Sequence, residues 1–456
     1  MRFWVFGLFI GLCFAGGGGA RDDILSLLYV RPGAVLCAAL ILLLPGPVEL
    51  KAVRVPLALC AAFALVMALQ LIPLPPELWT TLPGRQLFVE AANVAGIPQP
   101  WRPLSIAPDL TLNSLAAMVV PVAALLGFAA LDRFQRYDLL PILIVAALAS
   151  AFLAMLQLSG GEGSPFRLYR ITNRDSGVGF FSNRNHQAAL LAMTFPMLAV
   201  WAANGAGGKR ALGVRAVLAA ALGIFLIPMI LVTGSRAGLA FGALAALLGW
   251  LLYLQQARPT PRSLAPWKTA GIGVAGTVLV GILFAFAAPD RAASLRRLLD
   301  IGMEGDVRIE RLDVLVQLTG NVLPYGSGFG TFDALYRIHE PVEALSPFYL
   351  NHAHNDLLEL AMTGGLPALA LLLAGLVWVA ARSVKNFRRW RASGSEIAFA
   401  RLGALIMWLL LVWSLVDYPL RTPILAMIFA IASGWLGASR GADSGESRPP
   451  SSGEPA

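Results

Sequence analysis

Apolar residues in this chain gather into long, nearly uninterrupted runs, unlike the one-sided or alternating patterns of soluble helices and strands. A helix needs roughly 20 mainly apolar residues to cross a bilayer. Twelve runs of about that length occur, centred near residues 11, 36, 63, 121, 149, 195, 222, 245, 278, 370, 408 and 430. We therefore predict an all-α polytopic membrane protein with about twelve transmembrane helices.

The first run has a pattern that two kinds of segment share. Arg2 precedes the apolar stretch and small residues follow it, as in a secretory signal peptide. Further spans follow, however, and no stretch typical of a processed soluble domain does. We interpret the run as a first transmembrane helix, and either interpretation puts the N-terminus on the inner side.

Composition excludes the soluble classes. Hydrophobic residues make up 57% of the 456 positions and charged residues 13%, against about 25% charged in a typical soluble domain. The net charge of +9 includes no basic block in a segment able to fold outside the bilayer, which argues against nucleic acid as a partner. Cys13, Cys37 and Cys60 lie in apolar runs and are expected to be core residues, not ligands or disulfides.

The distribution of basic residues predicts the topology. With the N-terminus inside, all four lysines fall in inner gaps, and the run RSVKNFRRWR at 382–391 is the strongest cytoplasmic marker. Both termini are then cytoplasmic. Residues 1–438 are predicted to form one transmembrane domain, and the Pro/Ser/Gly-rich tail at 439–456 to be disordered.

Three outer segments are long enough to carry chemistry: about 74–111, about 159–186 and about 289–353. The last lies between spans 9 and 10 and is predicted to be a large loop on the outer side. Within it, apolar residues at helical spacing predict a helix over 306–320, with Arg308 and Arg311 on its polar face. The PYGSGFG sequence that follows predicts a glycine-rich turn.

Histidine and arginine dominate the chemistry of the outer face. All four histidines, His186, His339, His352 and His354, lie in an outer gap or at its membrane edge, and every basic residue of the outer gaps is arginine. The arginine fork suits bidentate binding of phosphate, and histidine transfers protons near neutral pH. Together they indicate a site for an anionic, phosphorylated substrate with a proton-transfer step.

Two local groups of polar residues lie at span ends. Asn183, Arg184, Asn185 and His186 begin a span, where polar groups can bind anions or sugar hydroxyls; ordinary capping and interfacial anchoring is the alternative. Arg236 lies in a very short outer hairpin between two apolar helices. Charge so close to hydrocarbon is costly unless it is paired or used, so we favour function over a snorkelling anchor.

The third group precedes the tenth span. His352 and His354 are followed by Asn355, Asp356 and Glu359 as the next helix begins. These residues argue against a metal site, because the two histidines do not have the spacing of helical zinc ligands and no cysteine can complete the set. General base catalysis is the better hypothesis, and a pair of interfacial histidines that cap a helix is the alternative.

With these residues the C-terminal two-thirds of the chain, about residues 170–438, resembles the O-antigen ligase and O-antigen polymerase superfamily of bacterial envelope glycosyltransferases. Five elements follow the family's order: Asn183 to His186, Thr233 to Arg236, an outer-loop arginine helix from Arg308, a glycine turn at Gly326 to Gly330, and a His-Asn motif. The ligase pattern H-[NSQ]-x9-G-x-x-G matches His354, Asn355 and Gly365, and it departs at Ala368, where the family has glycine. Arg311 stands near the family's usual aromatic position.

The resemblance implies a GT-C-like glycosyltransferase of the bacterial inner membrane with a periplasmic active site. It implies a donor glycan on undecaprenyl pyrophosphate, transfer to a glycan or to lipid A core, and an inverting mechanism without metal or other cofactor. A chain-length regulator and a flippase are the partners expected of such an enzyme.

The expected roles combine this family with the residue chemistry. Arg236 and Arg308 hold the pyrophosphate, and His354 accepts the proton of the attacking hydroxyl. His352, Asn355 and Asp356 orient His354 or the sugar. The remaining substrate-binding candidates are Arg184, His186, Asn183, Asn185 and Arg311.

Three functions stay open at this point. The imperfect ligase motif slightly favours a polymerase of O-antigen or exopolysaccharide, and a ligase to lipid A core is the alternative. A transporter or flippase for lipid-linked sugars is the rival from another class. Transporters place charged residues at mid-span between inverted repeats, whereas the polar residues here gather at the outer face.

Overall fold

The computed structural model describes residues 1–204, 209–256, 311–342, 345, 350–388 and 392–438. These residues are mostly helical, which confirms the predicted helical class. In chain order the helices are α1 (Arg2–Gly16), α2 (Leu27–Leu43), α3 (Arg54–Gln70), α4 (Pro76–Trp79), α5 (Gln86–Val94), α6 (Pro108–Ala117), α7 (Val119–Ala129), α8 (Arg133–Ser159), α9 (Arg184–Ala203), α10 (Lys209–Leu231), α11 (Arg236–Gln256), α12 (Leu312–Val322), α13 (Phe332–His339), α14 (Asp356–Arg388), α15 (Ser395–Trp413) and α16 (Pro423–Ala438).

Eleven of the twelve apolar runs coincide with helices in the described part of the chain, and the run near residue 278 lies outside it. Among the described residues, seven stretches are long and apolar enough to cross a membrane, with α6 and α7 counted as one stretch, Pro108–Ala129. Four shorter apolar helices, α1, α2, α3 and α16, accompany them. Helix α1 packs as an integral part of the bundle, since Phe6, Phe9 and Cys13 lie in the same buried core as residues of α16.

Contacts between chain turns define two opposite ends of the bundle. At one end, Arg2 donates hydrogen bonds to the carbonyls of Leu44, Gly46 and Pro47, and the Arg382 guanidinium donates to that of Gly437. Because a helix moves the chain from one end to the other, the gaps after α1, α3, α8, α10 and α15 lie at the opposite end. We call this the outer end, in keeping with the predicted topology.

Short elements cover the outer end. Helices α4 and α5 lie in the long gap after α3, and a minimal antiparallel pair, β1 (Pro73–Leu74) with β2 (Arg102–Pro103), closes that gap. The all-α prediction therefore misses one strand pair of two residues each. The helix predicted at 306–320 is found from Leu312 onward, and residues 257–310 lie outside the described part.

The glycine-rich turn after α12 is bonded directly to a kink in α14. Gly365 has a φ of +62° inside that helix, and the peptide nitrogens of Ser327 and Gly328 donate to the carbonyls of Met362 and Thr363. The side chain of Gln70 donates to Thr363 and accepts from the Phe329 peptide nitrogen. This junction holds the outer segment against the membrane helix that begins directly after His354.

Candidate active site

The connection between α15 and α16, residues 414–422, brings together three of the four histidines. The ring of Tyr418 lies at its centre, with ring-centroid distances of 4.3 Å to His352, 4.9 Å to His354 and 5.1 Å to His186. Tyr418 itself is buried. Residues from α9, from the segment before α14 and from the last connection therefore meet in one cluster at the outer end, which we call the histidine cluster.

His354 forms a histidine–carboxylate pair with Asp417. The distance from His354 Nδ1 to Asp417 Oδ1 is 3.0 Å, and the Asp417 carboxylate is almost completely buried. A carboxylate only accepts hydrogen bonds, so Nδ1 carries the proton and Nε2 remains the basic nitrogen. His354 also has a φ of +52°, a conformation that costs a non-glycine residue energy and often marks a functional position.

His352 forms the second such pair, with Glu359 of α14. Its Nδ1 lies 3.0 Å from Glu359 Oε1, and the other carboxylate oxygen accepts from the Ala353 peptide nitrogen at 2.9 Å. Arg421 Nη1 is also 3.0 Å from Glu359 Oε1, while Arg421 Nε donates to Asp356 Oδ1 at 2.8 Å. Burial lowers the pKa of Arg421, but these two carboxylates raise it more, so the net pKa lies above its usual value.

His186 is fully buried behind Asp417. Its Nε2 is 3.9 Å from Asp417 Oδ2, and neither ring nitrogen has a hydrogen-bond partner in the part of the chain that the structure describes. The ring therefore contacts Tyr418 and Asp417 and does not line the surface of the site.

The neighbours of His186 cap α9 and tie it to the cluster. The Asn183 side chain accepts from the Asn185 peptide nitrogen at 2.8 Å and donates to the Tyr418 hydroxyl at 3.3 Å. Asn185 is buried. Arg184 Nη1 lies 3.6 Å from Asp175 Oδ2, in the loop before α9. The motif thus caps the helix and holds Tyr418, and its binding of anions or sugar hydroxyls stays a prediction.

Arg236 begins α11 at the same end of the bundle. Thr233 and Ser235 are buried and cap the turn, while the Arg236 side chain is exposed. A Cβ on Gly238 would lie 2.6 Å from the Cβ of Ala188, so the first turn of α11 packs on the first turn of α9. Arg236 therefore lies at the level of the histidine cluster.

The outer-loop arginines are placed differently. Arg311 donates to the Tyr336 hydroxyl, and its Nη1 is 3.0 Å from Glu340 Oε1. These contacts bind α12 to α13. Arg308 lies outside the described residues. Asn355 accepts from the Leu358 peptide nitrogen at 3.1 Å and so caps α14.

An apolar groove of about 510 Å³ runs from the cluster along the bundle. Its walls come from α3, α7, α14, α15 and α16, and they are formed mainly by leucine side chains with Phe63 and Trp408. Asp356 and Arg421 lie at its polar end. The groove suits a long apolar chain whose polar head reaches the outer end.

No group of three or more histidine, cysteine, aspartate or glutamate residues in the described ranges is arranged to hold a metal ion. The carboxylates of the cluster instead contact histidine and arginine. The arrangement can accept a proton at a histidine and can hold an amphiphile beside it.

Sequence reasoning missed three residues of the cluster: Asp417, Tyr418 and Arg421. All three lie in a short gap between two apolar runs. A charged residue so near hydrocarbon is expected to be paired or functional, and this argument, which singled out Arg236, applies equally to Asp417 and Arg421.

Comparison with known proteins gives one family. Residues 218–373 match the O-antigen ligase family, and no curated protein matches the sequence. The matched stretch covers about a third of the chain and contains Arg236, His352, His354 and Gly365. The resemblance based on the motifs is therefore confirmed, whereas Asn183–His186 and Asp417–Arg421 lie outside the matched stretch.

Proposed function

Since residues 218–373 carry the O-antigen ligase resemblance within a bundle of membrane-spanning helices, we propose that this protein is a membrane glycosyltransferase. It transfers a glycan from undecaprenyl pyrophosphate to an acceptor sugar hydroxyl on the periplasmic face of the bacterial inner membrane. The observation that carries the proposal is the buried histidine cluster, with its two histidine–carboxylate pairs, at the polar end of the apolar groove.

His354 is the proposed general base. The acceptor hydroxyl attacks the anomeric carbon of the donor, its proton passes to Nε2, and the bond from the anomeric carbon to the pyrophosphate oxygen breaks with inversion. Asp417 positions the ring and stabilises the imidazolium that forms. Glu359, the carboxylate partner of His352, is shared with Arg421.

The neighbours of the two bases position them. His352, Asn355 and Asp356 hold the segment around His354, and Asn183, Asn185 and His186 support Tyr418 and Asp417 from α9. His186 acts through Asp417, since its ring is buried. Arg184 and Arg311 remain candidates for contact with the donor.

Arginines compensate the charge of the leaving group. Arg236 is exposed at the N-terminus of α11 at the level of the cluster, where the helix dipole also favours an anion. Arg308 is the proposed second contact to the pyrophosphate. The apolar groove of about 510 Å³ suits the polyprenyl chain. With that chain buried in the protein or in lipid, the head group still has access to water.

Polymerase and ligase use the same donor chemistry and differ in the acceptor. The imperfect ligase pattern, with Ala368 in place of glycine, slightly favours a polymerase of O-antigen or exopolysaccharide. Lipid A core is the alternative acceptor. A chain-length regulator and a flippase are its proposed partners.

The test is an assay with the full-length protein in liposomes that contain a lipid-linked oligosaccharide donor. Two acceptors are offered separately, a second lipid-linked repeat unit and a lipid A core acceptor. We expect transfer to one of them, and a loss on the order of 100–10,000-fold in Asp417→Asn. Movement of the donor across the bilayer without transfer to either acceptor would instead establish the transporter.

A further inference from the structure

A second cavity opens at the outer end, beside the histidine cluster. It has a volume of about 320 Å³ and lies between the α1–α2 loop, helix α6 and the glycine-rich turn. His352 and Arg421 line it on the cluster side. We call it the N-terminal cavity, because Arg21, Arg31 and Asn113 contribute to its wall from parts of the chain outside residues 218–373.

The charges around the N-terminal cavity nearly cancel. Arg21 is paired with Asp23 at 2.8 Å, and Arg421 is paired with Asp356 and Glu359. The remaining lining charges are Arg31 and the carboxylates of Asp22 and Asp333, and Asp333 is paired with Arg337 at 2.8 Å. A pyrophosphate, with several negative charges, would meet those two carboxylates at close range. A ligand with many hydroxyls would not be repelled by these carboxylates, because each hydroxyl can donate a hydrogen bond as well as accept one.

The lining also has the composition of a sugar site. Arg31 Nη1 donates to Asn113 Oδ1 at 2.7 Å, which orients the amide so that its nitrogen is available as a donor. The Asn351 amide adds a second donor and acceptor, and Phe329 with Met67 supplies an apolar surface. Small-molecule sites have volumes of roughly 300–1,000 Å³ and combine apolar walls with a few placed polar groups, so this cavity suits one sugar residue and not a long chain.

The N-terminal cavity and the apolar groove meet at one residue of the site. Arg421 lines both, together with the apolar residues Pro121 and Leu420. A lipid chain in the groove and a sugar in the cavity would therefore approach each other beside His352, whose ring packs on Tyr418 next to that of His354. This is the relative position that a donor and an acceptor need.

We propose that the N-terminal cavity binds the acceptor sugar residue, and that the Arg31–Asn113 pair selects it. The inference rests on the proposed transferase function and adds to it the place where the acceptor is recognised. It follows that acceptor choice is determined by N-terminal residues, whereas the proposed base His354 and the proposed pyrophosphate contacts Arg236 and Arg308 lie in the stretch that matches the O-antigen ligase family.

The experiment measures the KM for each substrate separately in the liposome assay, using the acceptor that the wild-type protein accepts. Asn113→Asp keeps the shape of the side chain and can still pair with Arg31, but it loses the amide donor. Arg31→Gln removes the charge. We expect either variant to raise the acceptor KM on the order of 10-fold, with the donor KM and kcat near wild type. Arg170→Gln and Asn93→Asp, at two exposed positions of the outer end, are the matched controls.

The possible results separate the two proposals. If wild type transfers glycan and both variants leave the acceptor KM unchanged, the cavity does not bind the acceptor, and the transferase proposal stands. A rise in the donor KM alone would assign the cavity to the donor's sugar and overturn the inference. If wild type transfers nothing to either acceptor, the transferase proposal itself fails.

Discussion

Two histidines that are two residues apart each hold a buried carboxylate, and they differ in what else that carboxylate contacts. Glu359 also binds Arg421, while Asp417 also lies near His186. Glu359 is therefore engaged by a guanidinium as well as by His352, whereas His354 is the histidine with the unusual left-handed backbone conformation, at a φ of +52°. This difference is the physical reason to rank His354 first.

His354→Ala is expected to abolish glycan transfer, a loss on the order of 100–10,000-fold, while the protein accumulates in the membrane at its normal level. His352→Ala should be milder. His339→Ala is the matched control, since its ring contacts the Leu335 carbonyl within α13 and lies outside the histidine cluster. Transfer rates in the liposome assay check the order, and a stronger effect of His352→Ala would make His352 the base.

The residues before α14 were predictable as candidates, because histidines next to a carboxylate and an apolar span are unusual in a sequence. Their pairing was not predictable. Asp417 is 63 positions beyond His354, and only the packing of α15 against α9 and α16 determines which histidine it contacts. Tyr418 carried no signal of its own, since an aromatic residue at a span end is ordinary anchoring.

At the scale of elements, apolar runs predicted the helices well because burial in lipid demands continuous hydrophobicity. They did not predict where helices bend. The ligase pattern that contains Gly365 indicated only a family, whereas in the structure this glycine allows the kink at which the turn after α12 docks. Docking depends on backbone hydrogen bonds between distant segments, which hydrophobic periodicity does not report.

Gly365→Ala is expected to destabilise the fold by about 1–3 kcal/mol or more. A Cβ there would lie 2.3 Å from the Pro324 carbonyl oxygen, and φ is +62°. Gly320→Ala in α12 is the control: no atom lies within 4 Å of its added Cβ, so the better helix propensity of alanine should leave stability equal or slightly higher. Thermal melting in detergent measures both, and equal melting temperatures would argue against a tight docked turn.

At the scale of the whole molecule, the structure has two chemically different ends. Basic side chains at one end donate to carbonyls of neighbouring turns. The other end carries the histidine cluster, the polar end of the apolar groove and the N-terminal cavity. The numbers of lysine and arginine residues in the gaps predicted which gaps lie on the inner side of the membrane and which on the outer side. The sequence could not predict that the N-terminal third would line a cavity at the site, because no local motif marks Arg31 or Asn113.

Cysteine labelling tests the orientation. Val94→Cys lies on the outer end with 90% of the residue exposed, and Ser393→Cys lies exposed on the opposite end. A membrane-impermeant maleimide should label the first variant in intact spheroplasts and the second only after lysis. The wild-type protein gives the baseline, since Cys13 and Cys37 are buried and the partly exposed Cys60 lines the apolar groove. Labelling of both variants from the same side would contradict the two-ended topology.

Glycan transfer should be unchanged by a chelator. The proposed base and the proposed charge compensation are side chains, and the carboxylates of the cluster contact histidine and arginine. Initial rates with and without EDTA measure this directly. A loss of activity that zinc, magnesium or manganese restores would assign His352, His354 and Asp356 to a metal site.

The pairing of His354 with Asp417 also means that the site is completed only late in translation of the chain. A ribosome releases the residues that resemble the family well before it releases the last connection and α16. Until that final hairpin inserts, the imidazole lacks its buried carboxylate and the cavity lacks Arg421. Under the proposed mechanism we therefore expect a chain without this final hairpin to transfer no glycan, because the proposed base lacks its carboxylate partner and the proposed acceptor cavity is incomplete.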